Sequence, residues 1–298
     1  MKYIFDYLCQ MQLLDGKKVS EAILSQIKER VAINVNNGIK APHLAAILVG
    51  EDSASQTYVA SKAKTCEFLG FNSTLSRLSA ETSEDELLNL IQKYNSDDNI
   101  DGILVQLPLP NHISEEKVIN AIDPAKDVDG FHPNSIGKMV LGQDTFIPAT
   151  PNGIMMLLKF YNIDTVGQHC VVIGRSNIVG TPMSLLMSRN TNPGNCTVTL
   201  AHSKTKNLKE ICLEADIIIA AIGRPKFVTA DMVKEGAIII DVGINRIEDA
   251  TKKSGFRLVG DVDFDNVKEK ASYITPVPGG VGKMTICALM QNTLKACE

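Results

Sequence analysis

Helical and extended patterns alternate along the whole of this chain, which confines it to an α/β architecture with parallel sheets. The first strong helix carries Val19, Ala22, Ile23, Ile27, Arg30 and Val31 at helical spacing, with Gly38 beyond its end. An apolar strand at 44–49 follows, then a helix bearing Tyr58 and Lys62, with Gly70 as its C′ residue. Ser83 and Glu86 form a capping box that opens the next helix. Residues 103–107 make a short, bulky, buried strand, and Ser114 caps a helix ending near Asp123-Pro124.

The turn chemistry of Asp127-Val128-Asp129-Gly130-Phe131-His132-Pro133, with Pro148 and Pro151 beyond it, marks a domain boundary. Pro151 is placed to start a helix through Leu157, Leu158 and Phe160. A second βαβ series then places strands at 170–173, 197–201, 217–222, 237–242 and 258–260. The Pro/Gly-rich stretch 273–282 leads into a last helix over 284–296.

At 298 residues there is room for a full core and for two domains. A net charge of -4 argues against non-specific nucleic-acid binding, so any anionic ligand must be held by local groups. The seven cysteines are scattered, lack C-x-x-C spacing and mostly sit in apolar runs, which suits a reducing cytoplasm and no structural zinc. Residues 1–10 are mildly apolar, but Asp6 breaks them and no small-residue cleavage site follows, so a signal peptide is not expected. No run approaches the roughly 18 apolar residues of a membrane span, and the expectation is a cytoplasmic protein.

Ser55, Tyr58 and Lys62 share one face of the helix that follows strand 44–49. A phenol and an amine at a strand's C-terminal end can stack on a ligand and move its protons, and a lysine in a cleft is a base near neutrality once its pKa is lowered. The alternative is a solvated helix face. Gln106, before Pro108-Leu109-Pro110, gains interest because it too sits at a strand's C-terminal edge, where α/β proteins bind ligands.

Farther on, Val171-Val172-Ile173-Gly174-Arg175-Ser176 runs from strand to glycine turn, and Gly180-Thr181-Pro182 starts a helix. Backbone N–H groups in such a turn receive a phosphate, although the pattern is not the standard G-x-G-x-x-G. The next strand ends in His202-Ser203-Lys204, without the carboxylate that would hold the ribose 2′-OH of NAD. With the Arg175 guanidinium, this favours a 2′-phosphate and hence NADP over a merely structural turn or polar loop. Two D-x-D patterns, Asp127/Asp129 and Asp261/Asp263, lack a further ligand to complete a metal shell, and no metal is expected. Asp129 is better suited to anchoring a ligand's N–H groups. Pro278-Gly279-Gly280-Val281-Gly282-Lys283-Met284 fails as a P-loop at Val277 and Met284; it reads as a tight turn that docks the last helix and admits a ligand to the backbone.

Six segments in register resemble the bifunctional methylenetetrahydrofolate dehydrogenase/cyclohydrolase family, from about Leu14 to Cys297: Tyr58-x-x-x-Lys62, Gln106-Leu-Pro-Leu-Pro, Lys126-Asp-Val-Asp-Gly130-Phe-His-Pro, Thr150-Pro-x-Gly153, Gly174-Arg-Ser-x-x-Val-Gly180 and Pro276-Val-Pro-Gly-Gly-Val-Gly282. The resemblance implies two α/β domains with a cleft between them, the second Rossmann-like, and a C-terminal helix returning to the first. The implied limits are 1–147 plus 276–298 for the folate domain and 148–275 for the NADP domain. It implies oxidation of 5,10-methylenetetrahydrofolate by NADP and hydrolysis of the methenyl product to 10-formyltetrahydrofolate, in one-carbon metabolism. Lys62 is implied as the catalytic residue, Gln106 as its partner, Tyr58 as a platform for the aminobenzoyl ring and Asp129 as the pterin anchor. Pro278 and Gly279 join the substrate-binding set, and Gly174, Arg175, Ser176, Ser203 and Ile244 form the cofactor-binding set. The implied assembly is a homodimer through the nucleotide-binding domains, with no nucleic-acid or membrane partner.

Many members have cysteine where Ala149 and Ala201 stand here, and proline where Lys283 stands. The first dozen residues have no clear counterpart. Short-chain dehydrogenases also use Tyr-x-x-x-Lys, but there the motif follows the nucleotide-binding strand, whereas here it precedes Gly174. A redox-sensing NADP-binding regulator without turnover would need a partner-binding module, and no helix-turn-helix signal or basic face is evident.

Overall fold

The structure, a computed structural model, describes residues 11–252 and 255–298. The expectation about a signal peptide concerns residues 1–10, which lie outside the described residues. The chain divides into two compact units, one of Ser20–Asn152 with Thr285–Glu298, the other of Gly153–Met284 with the described residues up to Val19. In chain order the elements start with β1 (Gln12–Leu13), α1 (Gly16–Asn36), β2 (His43–Val49), α2 (Ser53–Leu69), β3 (Asn72–Leu78) and α3 (Glu84–Asn95). They continue with β4 (Gly102–Val105), α4 (Glu115–Ala121), α5 (Pro133–Val140) and α6 (Ala149–Phe160). After these come β5 (His169–Ile173), α7 (Gly180–Ser188), β6 (Thr197–Ala201), α8 (Leu208–Leu213), β7 (Ile217–Ala220) and β8 (Ile238–Asp241). Last are β9 (Asn245–Glu248), β10 (Phe256–Val259), α9 (Phe264–Val267), β11 (Tyr273–Ile274) and α10 (Val281–Cys297).

In the unit built on Ser20–Asn152, β2 is the middle strand of a parallel sheet of order β3-β2-β4. Every residue of β2 after His43 is buried, as a parallel strand covered on both faces requires. Ala45, Ile47 and Val49 pack with Leu87 and Ile91 of α3 and with Ile103 and Val105 of β4. The edge strand β3 escapes sequence reading because its polar, half-exposed residues lack a continuous apolar run. Asp52 caps α2 by accepting the Ser55 N–H at 2.7 Å, and Gly70 ends the helix at φ 78°. Between these caps the buried stripe of α2 is Ser55, Val59, Lys62, Cys66 and Leu69. The Ser83–Glu86 capping box on α3 and the Ser114 cap on α4 form as expected.

Strand β4 stops at Val105 rather than 107, yet the Gln106 N–H still donates to Ile47 O at 2.9 Å. The 126–130 segment extends this sheet by a single parallel bridge, Ile103 to Asp127. The stretch expected to be turn through Pro133 instead starts a helix there: Pro133 stands in the first turn of α5, and the His132 ring accepts the Asn134 N–H at 3.0 Å. Helix α10 is tied to this region by Asn292, whose side-chain amide donates to Val128 O at 2.8 Å and Ile147 O at 3.0 Å.

The other unit is a six-stranded parallel sheet of order β1-β11-β8-β7-β5-β6. Val171, Ile173, Ile218, Ala220, Ile239 and Ile274 lie in its core. The strand expected at 258–260 is β10, and it does not join the parallel series but pairs antiparallel with β9 in a separate hairpin. β1 pairs with β11, and the Lys17 N–H donates to Gly279 O at 3.0 Å, so the described residues up to Val19 and residues 276–284 group with this sheet. By this grouping the chain passes between the units after Val19, Asn152 and Met284. Lys283 is exposed in the first turn of α10, where a proline would sacrifice only its N–H bond to Gly280 O, 3.2 Å long.

Replacing Asn292 by leucine (Asn292→Leu) keeps the bulk but strands two carbonyls without their donor. The expected loss is about 2–4 kcal/mol of stability, seen as a lower urea midpoint with an unchanged slope. An unchanged midpoint would mean that the amide does not fasten α10.

Candidate active site

Lys62 occupies a core position of α2 and is only 7% exposed. Its Nζ donates to Gln106 Oε1 at 3.0 Å, and Gln106 Nε2 donates to Leu107 O at 2.8 Å. The second bond orients the amide so that its oxygen, not its nitrogen, faces the lysine. Burial pushes the Lys62 pKa down from the ordinary lysine range, and the nearby charge of Asp129 opposes that shift. One turn away, Tyr58 is half-buried, and burial raises its phenol. Tyr58, Lys62, Gln106 and Asp129 all belong to the unit built on Ser20–Asn152.

Asp127 and Asp129 divide their roles. Asp127 is buried, and its carboxylate accepts the N–H groups of Phe131 (3.2 Å) and His132 (2.8 Å) and the Ser135 hydroxyl (2.8 Å). Gly130, at φ 73°, completes the turn where a Cβ would come within 2.7 Å of the Ile147 carbonyl carbon. Asp129 is half-buried, and no described residue donates a hydrogen bond to its carboxylate. Burial pushes that carboxyl up to about 6, against the pull of Lys62 and with help from the charge of Asp127. An amine and a carboxyl are thus both shifted toward their neutral forms, and the carboxyl has acceptor capacity to spare.

In the second unit Gly174 ends β5 at φ 115°, where a Cβ would lie 2.1 Å from Ala221 O. Gly180 opens α7 against Gly174 O just as tightly, at 1.9 Å from a notional Cβ. Arg175 and Ser176 are exposed between them, and Ser176 Oγ accepts the N–H groups of Val179 (3.2 Å) and Gly180 (3.4 Å). Ile173 is in register with Ala201, so the His202-Ser203-Lys204 turn stands beside this loop with Ser203 and Lys204 exposed. This donor set of arginine, lysine and hydroxyls fits a phosphorylated dinucleotide. Ile244 is 42% exposed on the loop after β8. Pro278 and Gly279 also belong to this unit, with Gly279 at φ 110°.

Sequence reasoning passed over Asp127 as a pin for the Asp129 loop; the hydroxyl of Ser135 and the turn between them were the available signal. Asp261, which the sequence offers only as half of a D-x-D pattern, is buried beneath a set of N–H donors. Its partner in that pattern, Asp263, forms an ion pair with Lys226 at 2.8 Å.

Two family models cover most of the chain: the tetrahydrofolate dehydrogenase/cyclohydrolase catalytic domain matches residues 14–129, and the NAD(P)-binding domain of the same name matches residues 148–298. A bifunctional protein FolD from Cytophaga hutchinsonii is 62% identical over 96% of this chain and 99% of its own. Among solved structures, the bifunctional FolD methylenetetrahydrofolate dehydrogenase/cyclohydrolase of Campylobacter jejuni is 50% identical with a TM-score of 0.90, covering 96% of this chain and 98% of its own. The Trypanosoma brucei enzyme, solved with NADP cofactor and an inhibitor, is 35% identical with a TM-score of 0.91 over 96% and 97% of the two chains.

The raised Asp129 carboxyl makes a stability prediction. A carboxyl with a folded-state pKa of about 6, above its ordinary 3.8, contributes stability at acid pH that is lost as pH rises through 6. Asp129→Asn removes that loss, so its stability relative to the parent should improve between about pH 4 and pH 7. Urea unfolding at both ends of the window measures it; a constant difference would show that the carboxyl is not held neutral.

Proposed function

We infer the chemistry of this chain from one premise: it belongs to the tetrahydrofolate dehydrogenase/cyclohydrolase family. It is a bifunctional enzyme that oxidises 5,10-methylenetetrahydrofolate and hydrolyses the methenyl product, and it has an NAD(P)-binding domain. Both halves match this family, so the short-chain dehydrogenase and the regulator without turnover are set aside.

The observation that carries the assignment of roles is the Lys62–Gln106 hydrogen bond in a desolvated stripe. A neutral Lys62 donates one N–H to Gln106 Oε1 and keeps its lone pair for a proton. Bound NADP supplies a hydride acceptor, and loss of hydride from the methylene carbon leaves a methenyl cation without any proton transfer. Water then attacks that carbon while Lys62 takes one of its protons; the adduct's carbon–N5 bond breaks as its hydroxyl proton is lost to form the carbonyl and N5 takes up a proton, which gives the 10-formyl product with one net proton released. Asp129, to whose carboxylate no described residue donates, is suited to the pterin's N–H groups, and the half-buried Tyr58 ring to stacking on the aminobenzoyl ring. Pro278 and Gly279 complete the substrate set. The lowered pKa of Lys62 supports its role as base, because it raises the neutral fraction near pH 7.

In the second unit, Gly174, Arg175, Ser176, Ser203 and Ile244 are the proposed cofactor set, with Arg175 and Ser203 facing the 2′-phosphate. The absence of a carboxylate at the end of β6 supports NADP over NAD. A homodimer through this unit is part of the same reading; β6, an edge strand of the six-stranded sheet, supports it by offering unpaired backbone groups. Among the described residues no helix is long and apolar enough to cross a membrane.

Lys62→Met preserves length and apolar bulk, and it should cut hydrolysis of methenyltetrahydrofolate by about 10²–10⁴-fold in a folded protein. Near-normal hydrolysis would remove the amine from the mechanism. Arg175→Ala should raise the KM for NADP by about ten- to a hundredfold and leave NAD little changed, since the charge-assisted contact exists only with the 2′-phosphate. Comparison of kcat/KM for both cofactors tests this; an unmoved ratio would assign Arg175 to the pyrophosphate instead.

A further inference from the structure

The order of the parallel sheet gives a dinucleotide a direction. From β5 the chain goes outward to β6 and then back to the far side of β5 for β7, so the switch point lies at the C-terminal ends of β5 and β7. With the 2′-phosphate end at Arg175 and Ser203, beside β6, a ligand crossing at Gly174 runs its other half over the ends of β7 and β8. Those ends carry the loops Ile222-Gly223-Arg224 and Gly243-Ile244-Asn245.

One carboxylate holds both loops. Asp261, 0% exposed, accepts the N–H groups of Ile222 (2.6 Å) and Gly223 (2.9 Å) on Oδ2. Its Oδ1 accepts the Arg224 N–H and the Asn245 side-chain amide, both at 2.9 Å. A second buried carboxylate seats the first: Asp241 accepts the N–H groups of Asp261, Gly243 and Val262, each at 2.9 Å. The Asp241 N–H in turn donates to Thr275 Oγ1 at 2.7 Å, at the head of the turn that contains Pro278 and Gly279. The packing leaves no room for adjustment, since a Cβ on Gly243 would lie 2.3 Å from Asp261 Oδ1 and one on Gly260 1.7 Å from Asp241 Oδ2.

Two adjacent buried carboxylates are an expensive way to hold turns that ordinary turn residues could form. What they add is fixed placement of neighbouring loops at one edge of the sheet. We propose that Asp261, seated by Asp241, is a positioning residue for the nicotinamide half of the cofactor. It sets the loops after β7 and β8, and through them the place of the carbon that accepts hydride. This rests on the reading of Arg175 and Ser203 as the 2′-phosphate end.

Asp261→Asn keeps the shape but turns one acceptor oxygen into an N–H₂ group facing N–H donors. Asn245→Ala removes only one of the four donors and serves where the first variant does not fold. In either variant the dehydrogenase kcat with NADP should fall by about ten- to a hundredfold, as expected when reacting atoms are misplaced by an ångström or less. Binding of adenosine 2′,5′-bisphosphate, which probes the phosphate end alone, should stay within about twofold of the parent. Hydrolysis of methenyltetrahydrofolate without nucleotide should also be unaffected, as it uses no hydride acceptor. The proposal is overturned if kcat with NADP is unchanged, if bisphosphate binding falls in step with it, or if hydrolysis falls with it, for the last two would mark a general structural role. Failure of the parent protein to bind the bisphosphate would overturn the phosphate-end reading itself, and this proposal with it.

Discussion

A single hydrogen bond from a desolvated amine, Lys62 Nζ to Gln106 Oε1, is the constraint around which the catalytic unit is arranged. A lysine in the buried stripe of a helix is costly unless it is neutral or paired, and here burial does lower its pKa. The partner must therefore be a neutral acceptor that comes no closer to ionising than an amide. Gln106 meets that need because β4 ends one residue earlier, and its own N–H₂ is spent on Leu107 O. The strand end, the cap at Asp52 and the αL glycine at Gly70 then fix the register that brings α2 over the sheet edge.

Both D-x-D pairs follow one physical pattern, in which the first carboxylate is consumed by backbone N–H groups and the second is left for another use. Asp127 closes the turn on Phe131, His132 and Ser135, and among the described residues none donates to the Asp129 carboxylate. Asp261 gathers the loops after β7 and β8, while Asp263 pairs with Lys226 at the surface. A carboxylate that accepts several N–H groups is a stiff loop anchor, because each bond is charge-assisted and the geometry is over-determined. Burial nonetheless carries Asp127 up to about 6 and Asp241 up to about 7, so these anchors are held at the expense of stability as pH rises through those values.

Much of the fold is legible in the chain because local chemistry and global structure agree. The apolar runs of β2, β5, β7 and β8 are buried on both faces, and the Ser83, Ser114, Gly70 and Gly38 signals stand where helices start or stop. The elements that escaped notice are those without such agreement. β3 is a polar edge strand, β9 has alternate exposure outside the main sheet, and α5 starts inside a sequence that has turn composition. The place of β1 is not legible locally, because it is two residues long and its membership depends on pairing with β11, some 260 residues away.

By itself the sequence determined the α/β class, the family through six ordered segments, and the residue types at the site: a lysine, a glutamine and an aspartate near strand ends, with an arginine after a glycine turn. These are local properties, set by side-chain chemistry and by periodicities of two and 3.6 residues. Only the tertiary structure decided that Asp127 and Asp261 are spent on backbone N–H groups while Asp263 pairs with Lys226, because that depends on groups brought in from other turns. It also decided that Lys62 lies in a buried stripe bonded to Gln106, across 44 positions of chain, and that Asp261 reaches back 39 positions to hold Ile222. Such pairings arise when a parallel sheet aligns the ends of strands that are distant in sequence, and no spacing rule along a single chain contains that alignment.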